Sequence, residues 1–327
     1  EAAAGGGSIL ANAVAGFFAN GGSDCYLVNL GSAEAPIAPD DLLLLDAIDG
    51  ISLDAAPRRS DAASYEALIG DCERRGDRFA ILDTPAAIDP LDRFQRQSRI
   101  GEDSGTDGLR PRSSARGLAA VYTPWIVIHD ALSGAQATQP PSGHVAGVYA
   151  RTDAQRGVHK APANTSLVGA LGLTRSISSV EQDGLNPLGV NCIRSFPDGI
   201  KVWGARTLAD STSEWRYVPV RRLVTMIARS VELGTRWVVF EPNDETLWKA
   251  LRRDLGAFLH TLWRDGALAG AKPEDAYFVR CDASTITQVD IANGRVVALI
   301  GIAPTRPAEF VVLRLVQSKA ESLVHEG

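Results

Sequence analysis

The 327 residues are 45% hydrophobic and 22% charged, with a formal net charge of -6: the make-up of an ordinary soluble globular protein, and too long for one small core. Two domains are expected, with room for an insertion. A mildly acidic chain with no basic run longer than Arg-Arg is a poor candidate for nucleic-acid binding, and no apolar stretch approaches the length of a membrane span.

Glu1 to Gly7 is small and flexible in composition, without the charged n-region of a signal peptide. The chain starts without Met and enters a helix almost at once, as a fragment would. Ser8 can cap that helix, which carries Ile9, Leu10, Ala13, Val14, Phe17 and Phe18 on one face and ends at Asn20-Gly21-Gly22. A buried strand is expected over Cys25 to Leu30, a helix over Asp40 to Ile48 and a strand over Ile51 to Ala55. Asp61 caps a helix bearing Tyr65, Leu68, Ile69 and Cys72, closed by Gly76, and Phe79 to Leu82 is the next strand. This alternation predicts a parallel sheet with right-handed crossovers.

Residues 89–117 are rich in Arg, Asp, Ser and Gly, which predicts a surface helix and then a mobile loop from Gly101 to Ser114. Order returns with the apolar run Ala119 to Ile128, interrupted at Pro124. Pro140-Pro141-Ser142 starts a helix through Ala154, in which Ala146, Gly147 and Ala150 permit close packing. Further on, Asn191 to Arg194 and Lys201 to Ala205 read as a strand pair, and Pro219 opens a helix that stops at Gly234. Trp237 to Phe240 reads as a strand, followed by a long helix capped by Asn243 and closed by Gly266. The end reads as all strand: Tyr277 to Arg280, Thr285 to Val289, Val296 to Ile302 and Glu309 to Val316, with a hairpin signal at Asn293-Gly294.

Chemistry is thinly represented. There is no nucleophile elbow and no phosphate loop; Gly169-Ala170-Leu171-Gly172 lacks the third glycine and the later acid of a dinucleotide site. The histidines His129, His144, His159, His260 and His325 show no metal-ligand spacing. The cysteines Cys25, Cys72, Cys192 and Cys281 are far apart, and Cys25, Cys72 and Cys281 sit in apolar patterns that suit small core residues. Asp83, just after a strand, stands where open α/β sheets place active groups, but an aspartate there also caps the next turn. The stretch Glu309, Phe310, Val311, Val312, Leu313, Arg314, Leu315, Val316 is strongly β-prone. It reads equally as an internal strand or as one that inserts into a neighbouring copy.

Several segments then carry a resemblance. Pro140-Pro141-Ser142-Gly143-His144-Val145-Ala146-Gly147-Val148-Tyr149-Ala150-Arg151-Thr152-Asp153 and Gly157-Val158-His159-Lys160-Ala161-Pro162-Ala163-Asn164 are followed by Leu185-Asn186-Pro187-Leu188-Gly189-Val190-Asn191 and Val202-Trp203-Gly204-Ala205-Arg206-Thr207. Trp215-Arg216-Tyr217-Val218-Pro219-Val220-Arg221-Arg222, Trp237-Val238-Val239-Phe240-Glu241-Pro242-Asn243 and Pro307-Ala308-Glu309-Phe310-Val311 complete the series. In this order the motifs resemble the contractile tail sheath family of myophage tails and extracellular contractile injection systems, most densely over residues 119–317.

The resemblance implies an α/β fold. A subtilisin-like parallel-sheet domain without a catalytic triad, residues 1–160, is followed by an α+β polymerisation domain, residues 161–327, ending in a strand that inserts into a neighbouring subunit. It implies a structural subunit that stacks as hexameric rings around an inner tube and contracts, with itself, the tube protein, baseplate and cap proteins as partners. It implies no cofactor, no metal, no nucleic acid and no membrane insertion, and assembly in a bacterial cytoplasm. Sheaths of this type carry a further N-terminal section with the first linking arm, and this sequence begins at the helix expected to follow it. An α/β hydrolase-like enzyme using Asp83 or a histidine stays small, a cap or baseplate adaptor forms rings, and a sheath forms long tubes; assembly state separates the three.

Overall fold

The computed structural model describes residues 8–31, 35–101, 107–130 and 132–308, together with the backbone of strands 313–317 and 322–326. Helix α1, Ile9–Ala19, closes at Asn20, whose side chain donates to the carbonyls of Gly16 and Val168 and accepts from the Val168 amide. The short α2, Pro39–Leu43, stops well before Ile48, and strand β1 is Leu53–Ala55. In α3, Ala62–Arg75, the Asp61 carboxylate accepts the Ser64 amide at 2.8 Å and Gly76 ends the helix at φ 78°, both as expected. Strand β2 is Phe79–Asp83.

Two expectations fail here. Cys25–Leu30 is irregular, with Tyr26 and Leu27 exposed and Cys25 exposed rather than in the core. An apolar run becomes a strand only if another edge pairs with it, and no described strand does so. The Arg- and Asp-rich stretch is also more ordered than its composition suggests. Leu91–Gln95 is a single 3-10 turn that buries Phe94, and residues 107–114 are packed. The Asp107 carboxylate accepts from the Arg99 and Gly108 amides and the Ser98 hydroxyl, while Arg112 pairs with Glu66 and Glu73. Polar bonds order this loop, and they leave no apolar period to read. Residues 102–106 lie outside the described residues.

The chain continues through β3, Ala119–Thr123, β4, Ile126–His129, β5, Gln136–Gln139, α4, Ser142–Arg156, β6, Thr165–Ser166, and β7, Ala170–Leu173. After α5, Ser179–Leu185, come β8, Val190–Phe196, and β9, Gly199–Trp203. Six strands form one mixed sheet in the order β1-β2-β3-β8-β9-β6, parallel from β1 to β8 and antiparallel thereafter. The expected pairing of Asn191–Arg194 with the strand after residue 200 holds in register, Arg194 opposite Lys201. Strands from both sides of residue 160 share this sheet. Alternate residues point to its two faces. Ala80, Leu82, Ala119, Val121, Val190 and Cys192 pack with α3, whereas Phe79, Ile81, Ala120, Tyr122 and Ile193 pack with Val145, Val148 and Tyr149 of α4. A second sheet, β5-β4-β7, is antiparallel.

Helix α1 lies against α4 where both carry small residues. A Cβ added at Gly143 would strike the Ala13 carbonyl, and one at Gly147 would strike the Phe17 carbonyl. Backbone cannot rotate aside as a side chain can, so Gly147→Val should cost about 1–3 kcal/mol or more by overpacking. A lowered thermal midpoint checks this; an unchanged midpoint would contradict so tight an approach.

The C-terminal part is built on α6, Val218–Gly234, and α7, Glu245–Arg264, followed by α8, Pro273–Ala276, β10, Tyr277–Arg280, α9, Gln288–Ala292, and β11, Leu299–Ile302. Pro219 sits in the first turn of α6, and Leu247, Leu251, Leu255 and Leu259 form the buried stripe of α7, as their spacing predicts. The cap of α7 is Asp244, which accepts from the Thr246 and Leu247 amides; Asn243 instead holds the Trp248 indole and the Arg295 carbonyl. The expected strand at Trp237 is a 3-10 turn, Arg236–Val238. Beyond it Phe240 is fully exposed (102%) with a left-handed φ of 74°, a conformation costing a bulky residue about 1–2 kcal/mol. Thr285–Val289 is not a strand either, because Thr287 and Asp290 form a capping box that starts α9, and Asn293-Gly294 ends that helix instead of turning a hairpin. Strands β12, Leu313–Gln317, and β13, Ser322–Glu326, pair with each other.

Candidate functional site

Asp83 ends β2 at the C-terminal edge of the parallel strands, which is where chemistry was most expected. It is 1% exposed, and its carboxylate accepts the Ser142 amide at 2.8 Å and the Ser142 hydroxyl at 2.6 Å. The Tyr65 hydroxyl donates to the Asp83 carbonyl at 2.7 Å, and Thr84 and Thr123 bond to each other beside it. Asp83 therefore holds the first turn of α4, 59 residues away, and not the next turn of its own chain. It has no histidine partner. The His144 ring, two residues into α4, lies against Gly16 of α1, and burial pushes its pKa down to about 4. Of the other described histidines, His260 bonds to the Tyr277 hydroxyl and His129 is exposed. Among the described residues no group of three His, Cys, Asp or Glu side chains is placed to hold a metal ion, and no helix is long and apolar enough to cross a membrane.

Burial raises the Asp83 pKa to about 7 even though Ser142 favours the charged form, whereas an aspartate in an unfolded chain titrates near 3.9. The folded protein thus keeps a proton that the unfolded chain releases. The associated stability is complete below about pH 4 and is lost as pH rises through 7. Asp54, raised to about 6 by burial, acts in the same direction over the lower part of this window. Asp83→Asn should flatten the fall in stability between pH 5 and pH 8, by at most about 4 kcal/mol, while still accepting the Ser142 amide. Urea midpoints at the two pH values check this; a slope like that of the wild type would contradict it.

A forked ion pair joins the two halves of the chain. Arg222 on α6 forks onto Asp153 on α4 at 2.9 and 2.6 Å, with its guanidinium 4.8 Å from the centre of the Tyr149 ring. Tyr149 in turn bonds to Tyr122 of β3 at 2.6 Å. Asp153, Tyr149 and Arg222 all lie in the motifs quoted above, but their sequence spacing gives no sign that they meet. Asn191 has a similar tying role: it accepts the Arg206 amide and donates to the carbonyls of Val121 and Arg206.

The second feature is a sheet that is too small. Strands β10 and β11 pair antiparallel, Tyr277 opposite Ile302 and Arg280 opposite Leu299, and neither has a further strand neighbour among the described residues. The ribbon packs on α6 and α7 through Tyr277, Val279, Ile300 and Ile302, and just past β11 residues 303–305 bond to the backbone of Ala267 and Ala269. Of the expected linking strand, Leu313, Arg314, Leu315 and Val316 are strand, and among the described residues they pair with β13; Glu309, Phe310, Val311 and Val312 lie outside the described residues.

Known proteins resemble this chain along most of its length. Residues 59–208 match the phage tail sheath protein central domain and residues 210–318 the phage tail sheath C-terminal domain. The chain is similar to one in the sheath complex of the extracellular contractile injection system PVC in its contracted state, with 34% identity and a TM-score of 0.79, covering 97% of this chain and 82% of that one. A chain of the anti-feeding prophage baseplate is equally similar, at 34% identity and a TM-score of 0.78, covering 95% and 81%. A prophage major tail sheath protein of Pseudomonas aeruginosa (strain UCBPP-PA14) is 28% identical over 285 residues, 76% of this chain and 71% of that protein.

Proposed function

The chain belongs to the phage tail sheath family and is a structural subunit of a contractile sheath; from that premise we propose that it polymerises as stacked hexameric rings around an inner tube and contracts to drive the tube through a target envelope. The polymerisation part of this reading is supported by the β10–β11 ribbon, whose two strands have no further strand neighbour among the described residues. A two-stranded ribbon is marginal in water, and an unpaired edge invites another strand. The strand Glu309 to Val316 of a neighbouring copy supplies it, by β-augmentation. Linked in this way, subunits rotate and slide past one another during contraction without separating. The extended polymer stores the energy at assembly, and contraction replaces few subunit contacts with many.

The six-stranded sheet, with α3 on one face and α4 on the other, we read as the subtilisin-like middle domain, with Asp83 as a structural group and no enzymatic role. The similarity to a baseplate chain supports contact with the baseplate as well as with further copies. Tube and cap proteins complete the partner set, and assembly takes place in a bacterial cytoplasm. Negative-stain electron microscopy of cells making the full protein tests the reading. Hollow, ridged tubes are expected; rings alone would indicate an adaptor, and only small particles would return attention to Asp83.

A further inference from the structure

The two ends of α7 carry features of opposite shape and charge. Before its N-terminus, Val239 (62%) and Phe240 (102%) stand out in solvent beside the exposed carboxylate of Glu241, which makes no ion pair among the described residues. Phe240 is held outward by its left-handed backbone, so the protrusion is part of the fold and not a side chain that happens to point outward. At the C-terminus of α7 an open hollow is lined by His260, Trp263, Arg264 and Leu268. Leu268 is buried, Trp263 is tied by its indole to the Gly270 carbonyl, and the exposed Arg264 has no acidic partner among the described residues. The protrusion is apolar and acidic; the hollow is apolar and basic.

We propose that Phe240 and Glu241 of one copy seat in the His260–Trp263–Leu268 hollow of a second copy, with Glu241 paired to Arg264. Helix α7 has 20 residues. It is therefore roughly 30 Å long, and it keeps the protrusion and the hollow of one chain too far apart to meet. A contact between unlike patches at opposite ends of a rigid helix is heterologous, and it builds a ring or an open polymer instead of closing a dimer. The second copy is the occupant because the charges of the two patches are complementary and because the chain is a sheath subunit. The inference rests on that reading, and it adds a side-chain contact distinct from strand exchange.

The test uses the full chain in cells assembling the particle. Glu241→Arg and Arg264→Glu should each cut the yield of assembled sheath by about tenfold, as should Phe240→Ala, in line with the loss of an aromatic or charged anchor. All three sites are exposed, so circular dichroism should show each variant folded. The double variant Glu241→Arg/Arg264→Glu should restore assembly. In a Cys25→Ser background, Glu241→Cys with Arg264→Cys should give a ladder of disulfide-linked copies on oxidation. Single variants that assemble normally, a double variant no better than the singles, or a cross-link to another protein would each overturn the contact. Failure of the wild type to form tubes would instead overturn the sheath reading.

Discussion

Leu315→Pro should abolish sheath tubes while leaving residues 8–308 folded. Leu315 is the centre of β12, opposite Val324. Proline there removes a ladder donor and is tolerated only at strand ends, edges or bulges. Each lost hydrogen bond with an unmet partner costs about 1–3 kcal/mol, or roughly 5- to 150-fold in a binding constant. A polymer multiplies that loss over every joint. Leu313→Pro and Val312→Pro should act in the same direction, Leu313→Pro more weakly because it lies at the start of the strand as described. Leu315→Ile, which keeps the donor and the β preference, should assemble as the wild type does. Two measurements decide the matter: electron microscopy for tubes, and the thermal midpoint for the fold. Normal tubes from Leu315→Pro would sink the strand-exchange proposal outright. A collapsed midpoint would show that β12 belongs to the subunit's own core.

Asp153→Ala should destabilise the subunit by about 3 kcal/mol, the cost expected when a buried ion pair loses one partner. Arg222 has a side-chain exposure of 8%, so its charge cannot turn to water once the carboxylate is gone, and Tyr149 alone does not replace it. For a chain of this size the thermal midpoint falls by roughly 1–2 °C per kcal/mol, so a shift of several degrees is expected. Asp153→Ala combined with Arg222→Met should recover most of the loss, because an apolar side chain of similar length can pack on Tyr149 where an unpaired guanidinium cannot. A single variant as stable as the wild type would show that this pair does not join α4 to α6 in solution. The pair crosses between the halves that the central-domain and C-terminal-domain matches separate at residues 208 and 210.

Family membership was legible in the sequence because the motifs recur in order, and two of them contain Asp153 and Arg222. What those residues do there was not legible. Some helix ends were read well from a local group: Asp61 bonds three residues ahead, Gly76 and Gly266 take the left-handed turn, and Pro219 starts α6, whereas α7 is capped by Asp244 and not by the expected Asn243. The misreadings cluster in apolar runs assigned as strands. Cys25–Leu30, Trp237–Phe240 and Thr285–Val289 all have β-prone composition, and none is paired among the described residues.

The difference has one physical cause. A helix closes its hydrogen bonds within four residues, so its start, its stop and its buried face are properties of the local sequence, and the sequence by itself determined α3, α4, α6 and α7. A strand, a buried carboxylate and an ion pair each need a partner from elsewhere in the chain. Asp83 meets Ser142 across 59 residues, and Asp153 meets Arg222 across 69. Only the tertiary structure chose those partners, left β10 and β11 without a further strand among the described residues, and set Phe240 out in solvent, because each outcome depends on which distant segments came to lie side by side.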